Sequence, residues 1–430
     1  MTLIVILLIL IFLGLPIGMC FGLAGILYLT GTGSNAGSLM AQASFGGIDS
    51  FTILSLPFFM FAGDIMRYGG VSEKLVNFAK RCFRNSISAL GNITVLACAF
   101  FGAVSGSSAA TVSAIGGIMV PEMKSHHYKP EYATALASAA GFLGILIPPS
   151  VPAVIYCCAA GVSVGKVFLA IIGPGVLTTI AFIILNRVLI KKNYDYEAAK
   201  KLEEAQQYAT EKSFFRAFIE ALPAFLMPVI ILGGIYSGIF TATEASAVAI
   251  IYGLVVSMFV YKKIGVKDIM PIAKESALTA AKILLIMATA TFFGRVMTLL
   301  SLPQTIATAI TGISSNKIII LLLINVVLLI LGMLMETGAA ILLVTPIIYP
   351  IAKAVGVDQV HFGVIMTFNL AVGLITPPMA LNLFVGSQVG KLPIAKIIPP
   401  IIPYLIVSLV ILVLITYCPA ISVGLPNLLY

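Results

Sequence analysis

Two proline pairs stand in matching surroundings, Gly144-Ile-Leu-Ile-Pro-Pro149 and Gly373-Leu-Ile-Thr-Pro-Pro378. A proline has no backbone N–H, and its ring clashes with the carbonyl of an earlier residue. Two in succession, behind a glycine and ahead of Ser150 or Met379, should unwind a helix that contains them. The carbonyls of Gly144 and Ile147, or of Gly373 and Thr376, then need partners. One answer is water or a Ser/Thr hydroxyl, as in any kinked helix. The other is a sodium ion, a hard cation that takes oxygen ligands. Each proline pair has its own small, polar companion segment, Gly102-Ala-Val-Ser-Gly-Ser-Ser-Ala-Ala-Thr111 and Gly332-Met-Leu-Met-Glu-Thr-Gly-Ala-Ala340. Ser105, Ser107 and Ser108 are available to complete one site, and Thr337 the other. That the whole arrangement occurs twice favours the ion.

The elements that hold these residues must be membrane helices. Apolar residues make up 60% of the 430 and charged residues 10%, against about a quarter charged in a soluble domain. The mean hydropathy is +1.12. Such a chain has too little polar surface to coat a soluble globule. This excludes a secreted domain, a cytosolic enzyme and a nucleic-acid binder, and leaves an all-α polytopic membrane protein. Spans of about 20 apolar residues are expected near 2–29, 50–66, 130–160, 166–190, 217–237, 240–261, 276–299, 360–390 and 397–418. The runs 87–121 and 317–350 are too long for one span and are polar at the centre. They read as re-entrant hairpins, since irregular backbone survives at membrane depth only within protein or beside a cavity. Segments 72–86 and 302–312 are short and amphipathic and read as interfacial helices. The polar run 193–213 reads as a surface helix joining two halves.

Positive charge sets the orientation. The net charge is +9, and a topology with a cytoplasmic N-terminus and a periplasmic C-terminus places 20 of the 25 Lys and Arg residues inside. Loop 30–49 and the tail 419–430 carry none. Internal repetition supports this layout. Gly63-Asp-Ile-Met66 parallels Gly294-Arg-Val-Met297, Gly102 to Ala110 parallels Gly332 to Ala340, the two proline segments match, and Gly161 to Lys166 parallels Gly386 to Lys391. The expected plan is a first repeat over 1–192, a linker over 193–216 and a second repeat over 217–430. With opposite loop charge the repeats are inverted, the signature of a secondary transporter with its site near the midplane.

Ionisable residues near the spans are functional candidates. Asp64 and Arg295 occupy matching repeat positions, where a structural ion pair and a substrate role for Arg295 both remain open. Glu244, behind Thr241 and Thr243, suits a helix cap. Lys282 and Glu336 also lie in or near spans. Ser108, Ser150 and Asn382 adjoin the breaks and could meet substrate oxygens or merely satisfy unwound backbone. Gly14, Gly18 and Gly22 make a smooth face on the first helix, for packing within the chain or for a partner subunit. The apolar N-terminus reads as a retained helix rather than a signal peptide. The six cysteines show no metal spacing, and His126, His127 and His361 fall in short loops with no ligand cluster. No transition metal and no organic cofactor is called for.

Ser55-Leu-Pro-Phe-Phe59, Gly102 to Thr111, Ile147-Pro-Pro-Ser150, Gly238-Ile-Phe-Thr-Ala-Thr-Glu-Ala-Ser246 and Gly373 to Pro378 together resemble the large membrane subunit of tripartite ATP-independent periplasmic (TRAP) transporters. The resemblance covers nearly the whole chain. It implies an elevator-type sodium symporter in the bacterial inner membrane, with sodium as the coupling ion. It further implies a small four-helix membrane subunit and a periplasmic binding protein that delivers a carboxylate. By motif, one sodium site would involve Ser105, Gly144, Ile147 and Pro149, and the other Thr337, Gly373, Thr376 and Pro378. Glu336, where the first repeat has Gly106, departs from the internal symmetry and suggests unequal sites. The chain starts directly at the large-subunit first helix, so the small subunit is expected as a separate polypeptide. Sialic acid (N-acetylneuraminate) is the expected substrate. The competing reading is a stand-alone sodium/dicarboxylate symporter with inverted repeats. A membrane enzyme or ATP-driven pump finds no motif: there is no His-Glu-x-x-His, no Gly-x-Ser-x-Gly and no phosphate-binding loop.

Overall fold

The computed structural model describes the chain except Met1, Ser34, residues 84–85, 196–213, Pro303, 306–307, 309–315, Met379 and Tyr430. It is helical throughout, with no strand among the described residues. Seven of the described helices are long and apolar enough to cross a membrane.

The run expected as one span over 2–29 is two helices, α1 (Thr2–Phe12) and α2 (Ile17–Gly31). Gly14, at φ 78°, and Pro16 separate them. A left-handed residue followed by one without an N–H ends a helix. The stretch read as loop 30–49 holds α3 (Ala36–Ile48), whose cap is Asn35 accepting from the Ser38 N–H at 3.4 Å. Gly37, Ser38, Gln42, Gly46 and Gly47 dilute its hydropathy, so the helix was hidden in the sequence. A 3-10 turn at Phe51–Leu54 leads into α4 (Ser55–Tyr68), bent 62° from α3. Helix α5 (Val71–Cys82) is amphipathic, burying Val71, Leu75, Val76 and Ala79.

Then come α6 (Ala89–Ser105) and α7 (Ser108–Ser125), the arms of the first hairpin. The expected single span 130–160 is α8 (Pro130–Ala140), a 3-10 turn to Ile145, a break, and α9 (Val151–Ala160). Helix α10 (Val164–Asn193) runs to the linker. From residue 196 to 213 that linker lies outside the described residues, as does most of 302–312. The second half opens with α11 (Phe214–Tyr236), α12 (Ala242–Val255) and α13 (Val266–Leu299), the last longer than the expected 276–299. The second hairpin is α14 (Lys317–Leu334) and α15 (Thr337–Ala354). Both of its arms are long and apolar enough to span a membrane, whereas α6 and α7 are not. The second broken helix is α16 (Gln359–Gly373) and α17 (Leu381–Gly390), followed by α18 (Ile394–Tyr417) and α19 (Ala420–Leu429).

Element order recurs at a fixed offset. Helices starting at Ser108, Pro130, Val151 and Val164 have counterparts starting at Thr337, Gln359, Leu381 and Ile394, later by 229 or 230 residues. One expected match falls out of register. Helices α9 and α17 have ten residues each and end on left-handed residues, Gly161 and Lys391. Gly161 therefore corresponds to Lys391, and Gly386 is interior to α17.

Two groups of helices pack around the site. In one, α4 lies on α12, α11 on α5, and α13 on α2 and α3. In the other the hairpins brace the broken helices crosswise. Helix α7 packs against α17, and α15 against α9.

Candidate functional site

At the first tip, Gly106 takes φ 61° and ends α6, while Ser107 caps α7 by accepting from the Ala110 N–H at 3.4 Å. The Gly106 carbonyl accepts from the Val151 N–H at 3.3 Å, just past the proline pair. A Cβ on Gly106 would lie 2.8 Å from the Pro149 carbonyl oxygen, and one on Gly102 would lie 2.7 Å from Gly144 Cα. Hairpin and break thus meet backbone to backbone. Oxygens gather there: Ser105 Oγ lies 3.2 Å from Thr111 Oγ1, and Thr111 Oγ1 donates to the Ser107 carbonyl at 2.8 Å. The motif by itself does not mark Thr111 as a candidate ligand. Its place one turn past Ser107 on α7 is the signal that could have found it.

The second tip repeats the contact. A Cβ on Gly332 would stand 3.1 Å from Leu370 Cα and 3.2 Å from Gly373 Cα. Glu336 caps α15, accepting from the Ala339 N–H at 3.0 Å. The Gly373 carbonyl, expected free, accepts from the Thr376 N–H at 3.1 Å. The Thr376 hydroxyl donates to the Val372 carbonyl at 2.7 Å. Pro148-Pro149 and Pro377-Pro378 are both cis.

A cavity of about 470 Å³ lies between the two helix groups. It is lined by Ser105 to Ala110 from the first tip, Glu336 and Thr337 from the second, and Ile145, Val151, Leu374 and Leu381 from the breaks. Asp64 and Arg67 of α4 and Glu275 of α13 form its other wall. Arg67, in the last turn of α4, sits inside this wall. Its Nη2 pairs with Glu275 at 2.9 Å and with Asp64 at 3.3 Å, while its Nε is buried without a partner. The Tyr68 hydroxyl donates to Glu275 at 2.7 Å, and Ser276 donates to Asp64 at 2.6 Å.

Of the four residues proposed to meet substrate, Ser108 lines the cavity. It donates to Asn382 Oδ1 at 2.9 Å, and Asn382 in turn donates to the Ser138 carbonyl at 3.1 Å. Asn382 is fully buried and ties the first tip to both broken helices. Ser150 is buried as the cap of α9, donating to the Ile145 carbonyl at 2.7 Å. Arg295 is exposed on α13, outside the cavity lining, and Asp64 pairs with Arg67 instead. Glu244 forms the capping box with Thr241. His361 lies in α16 rather than in a loop, its Nδ1 2.6 Å from Ser422 Oγ.

Broken helices crossed by hairpin tips enclose a cavity with charged residues in its wall, and solved structures share this membrane-protein fold. The chain aligns with the YdaH transporter of Alcanivorax borkumensis at TM-score 0.62 and 15% identity, over 87% of this chain and 86% of that one. It aligns with MtrF of Neisseria gonorrhoeae at TM-score 0.59 and 12% identity, over 88% and 83%. The model for the DctM component of the tripartite ATP-independent periplasmic transporter matches residues 4–421. The chain belongs to that family and is a large permease subunit. It is 41% identical over 408 residues to the isethionate TRAP transporter permease protein DctMQ of Oleidesulfovibrio alaskensis, spanning 95% of this chain but 63% of that longer protein. It is 39% identical to the C4-dicarboxylate large permease protein DctM of Pseudomonas aeruginosa, over 94% and 93% of the two chains. It is 36% identical to the sialic acid large permease protein SiaM of Vibrio cholerae, over 97% and 96%.

Proposed function

We propose that this subunit imports an organic carboxylate together with sodium ions across the bacterial inner membrane, moving the hairpin group past the α4–α13 wall as an elevator. The observation that carries this reading is the charge of the cavity. Asp64, Glu275 and Glu336 face it with Arg67 as the one cation among its lining residues. Three carboxylates against one guanidinium leave a formal charge of −2, which repels an anion. Two sodium ions at the tip-and-break junctions cancel that charge, so the anion binds only after the cations. This gives a physical reason for coupling.

The first ion takes Ser105, Thr111 and the carbonyls of Gly144 and Ile147 beside Pro149. The second takes Thr337 and the carbonyls around Gly373, Thr376 and Pro378. Arg67 and Ser108 then meet the substrate carboxylate from opposite walls. The relatives are named for isethionate, C4-dicarboxylates and sialic acid, all organic anions, and sialic acid is the first compound to test. A four-helix small subunit and a periplasmic binding protein complete the system.

The test is reconstitution of the chain with both partners in proteoliposomes. Uptake of labelled substrate should require an inward sodium gradient and no ATP. Uptake driven by protons alone in sodium-free buffer would overturn the coupling, and full uptake without the binding protein would favour a stand-alone symporter.

A further inference from the structure

Three lysines converge on a groove remote from the transport cavity. Lys129 before α8, Lys192 near the end of α10 and Lys396 near the start of α18 line a hollow of about 440 Å³ with Glu131 and the prolines Pro399 and Pro403. The Lys129 ammonium donates to the Lys192 carbonyl at 2.9 Å, which holds two of these cationic residues side by side. None of the three lysines is ion-paired with a carboxylate among the described residues. Three lysines elsewhere do have carboxylate partners: Lys74 lies 3.0 Å from Glu220, Lys80 2.6 Å from Glu122, and Lys263 2.9 Å from Glu73. Three lysines against the one carboxylate of Glu131 give the lining of this hollow a formal charge of +2.

The groove also adjoins an apolar surface. Helices α10 and α18 pack together. On their outer sides α10 exposes Ile184 (57%) and Val188 (63%), and α18 exposes Ile402 (44%) and Ile406 (55%). Val188 stands one helical turn, about 6 Å, from Lys192. That is the separation between the headgroup and the upper acyl chain of a lipid. A soluble anion would use the lysines but not the apolar stripes.

We infer that this groove holds the headgroup of an anionic phospholipid, with its phosphate among Lys129, Lys192 and Lys396 and its acyl chains along Ile184, Val188, Ile402 and Ile406. Basic hollows between transmembrane helices suit such headgroups, and here the lysines border exposed apolar side chains. A lipid seated here would staple α8, the first half of a broken helix, to α10 and α18.

The experiment uses the complete transporter, purified, delipidated and titrated with phosphatidylglycerol or phosphatidylcholine in mixed micelles. Phosphatidylglycerol should raise the thermal midpoint and co-purify at stoichiometric level, and phosphatidylcholine should do neither. The Lys129→Gln, Lys192→Gln, Lys396→Gln variant should weaken phosphatidylglycerol binding by tenfold or more, while the triple arginine variant should retain it. Glu131→Gln should tighten binding. Equal binding by wild type and the glutamine variant would overturn the assignment. So would an equal thermal shift from glycerol phosphate or inorganic phosphate, which would make this a site for a soluble anion.

Discussion

At the scale of single residues, hydroxyls with similar surroundings in the sequence have different work. Thr111 and Thr376 both donate to the carbonyl one turn back, of Ser107 and Val372, but Thr111 also lies 3.2 Å from the Ser105 hydroxyl in an oxygen cluster. Thr111→Val, which keeps the volume, should lower apparent sodium affinity at least tenfold in thermal-shift titrations with sodium chloride. Thr376→Val should cost about 1 kcal/mol of stability and leave the sodium midpoint within twofold. The opposite ranking would move the hydroxyl ligand to the second break. Arg67 gives a second test. Its guanidinium is shared between two carboxylates and faces the cavity. Arg67→Gln should raise the KM for the anion at saturating sodium by tenfold or more, and Arg67→Lys should recover part of that. An unchanged KM in both variants would remove Arg67 from substrate binding.

At the scale of elements, the hairpins are seated by contacts that tolerate no side chain. Any Cβ on Gly373 would collide with the Gly332 backbone. A collision of backbone with backbone cannot be relieved by a rotamer, so Gly373→Ala should cost about 1–3 kcal/mol. Asn382 acts differently, tying α7 and α8 to α17 by hydrogen bonds. Asn382→Ala would leave the Ser108 hydroxyl and the Ser138 carbonyl without this partner, at about 1–3 kcal/mol. Both variants should lower the thermal midpoint of the purified protein in sodium-free buffer. A midpoint equal to wild type for either would show that the contact is not stabilising.

At the scale of the whole molecule, charge movement and orientation are the accessible quantities. Two sodium ions with a monoanion carry one positive charge inward, worth about 2.3 kcal/mol per 100 mV. An inside-negative potassium diffusion potential should accelerate uptake, and indifference to potential would require another stoichiometry. Orientation is readable from native thiols, since Cys82 and Cys418 are both exposed. With the basic loops inside, a membrane-impermeant maleimide should label Cys418 in spheroplasts and Cys82 only in inverted vesicles. Labelling of Cys82 from outside would invert the topology.

Membrane residence, the helical class and the two breaks were legible in the residues themselves, because hydropathy and the missing proline N–H act locally. The pairing of each tip with its own break was legible too, through repetition of Gly102 and Gly144 in Gly332 and Gly373. Helix α3 was not, because its small and polar residues gain stability from α13 rather than from their own hydropathy. The place of Arg67 in the cavity wall was not legible, because nothing in its neighbourhood of the chain announces Glu275, 208 residues away. For Ser150 and Asn382 the residues leave substrate contact and backbone partner both open, and the fold buries one as a helix cap and the other as a brace. Local chemistry is written in adjacent residues. Which polar groups face the cavity depends on how helices distant in sequence pack, and only the tertiary structure decides that.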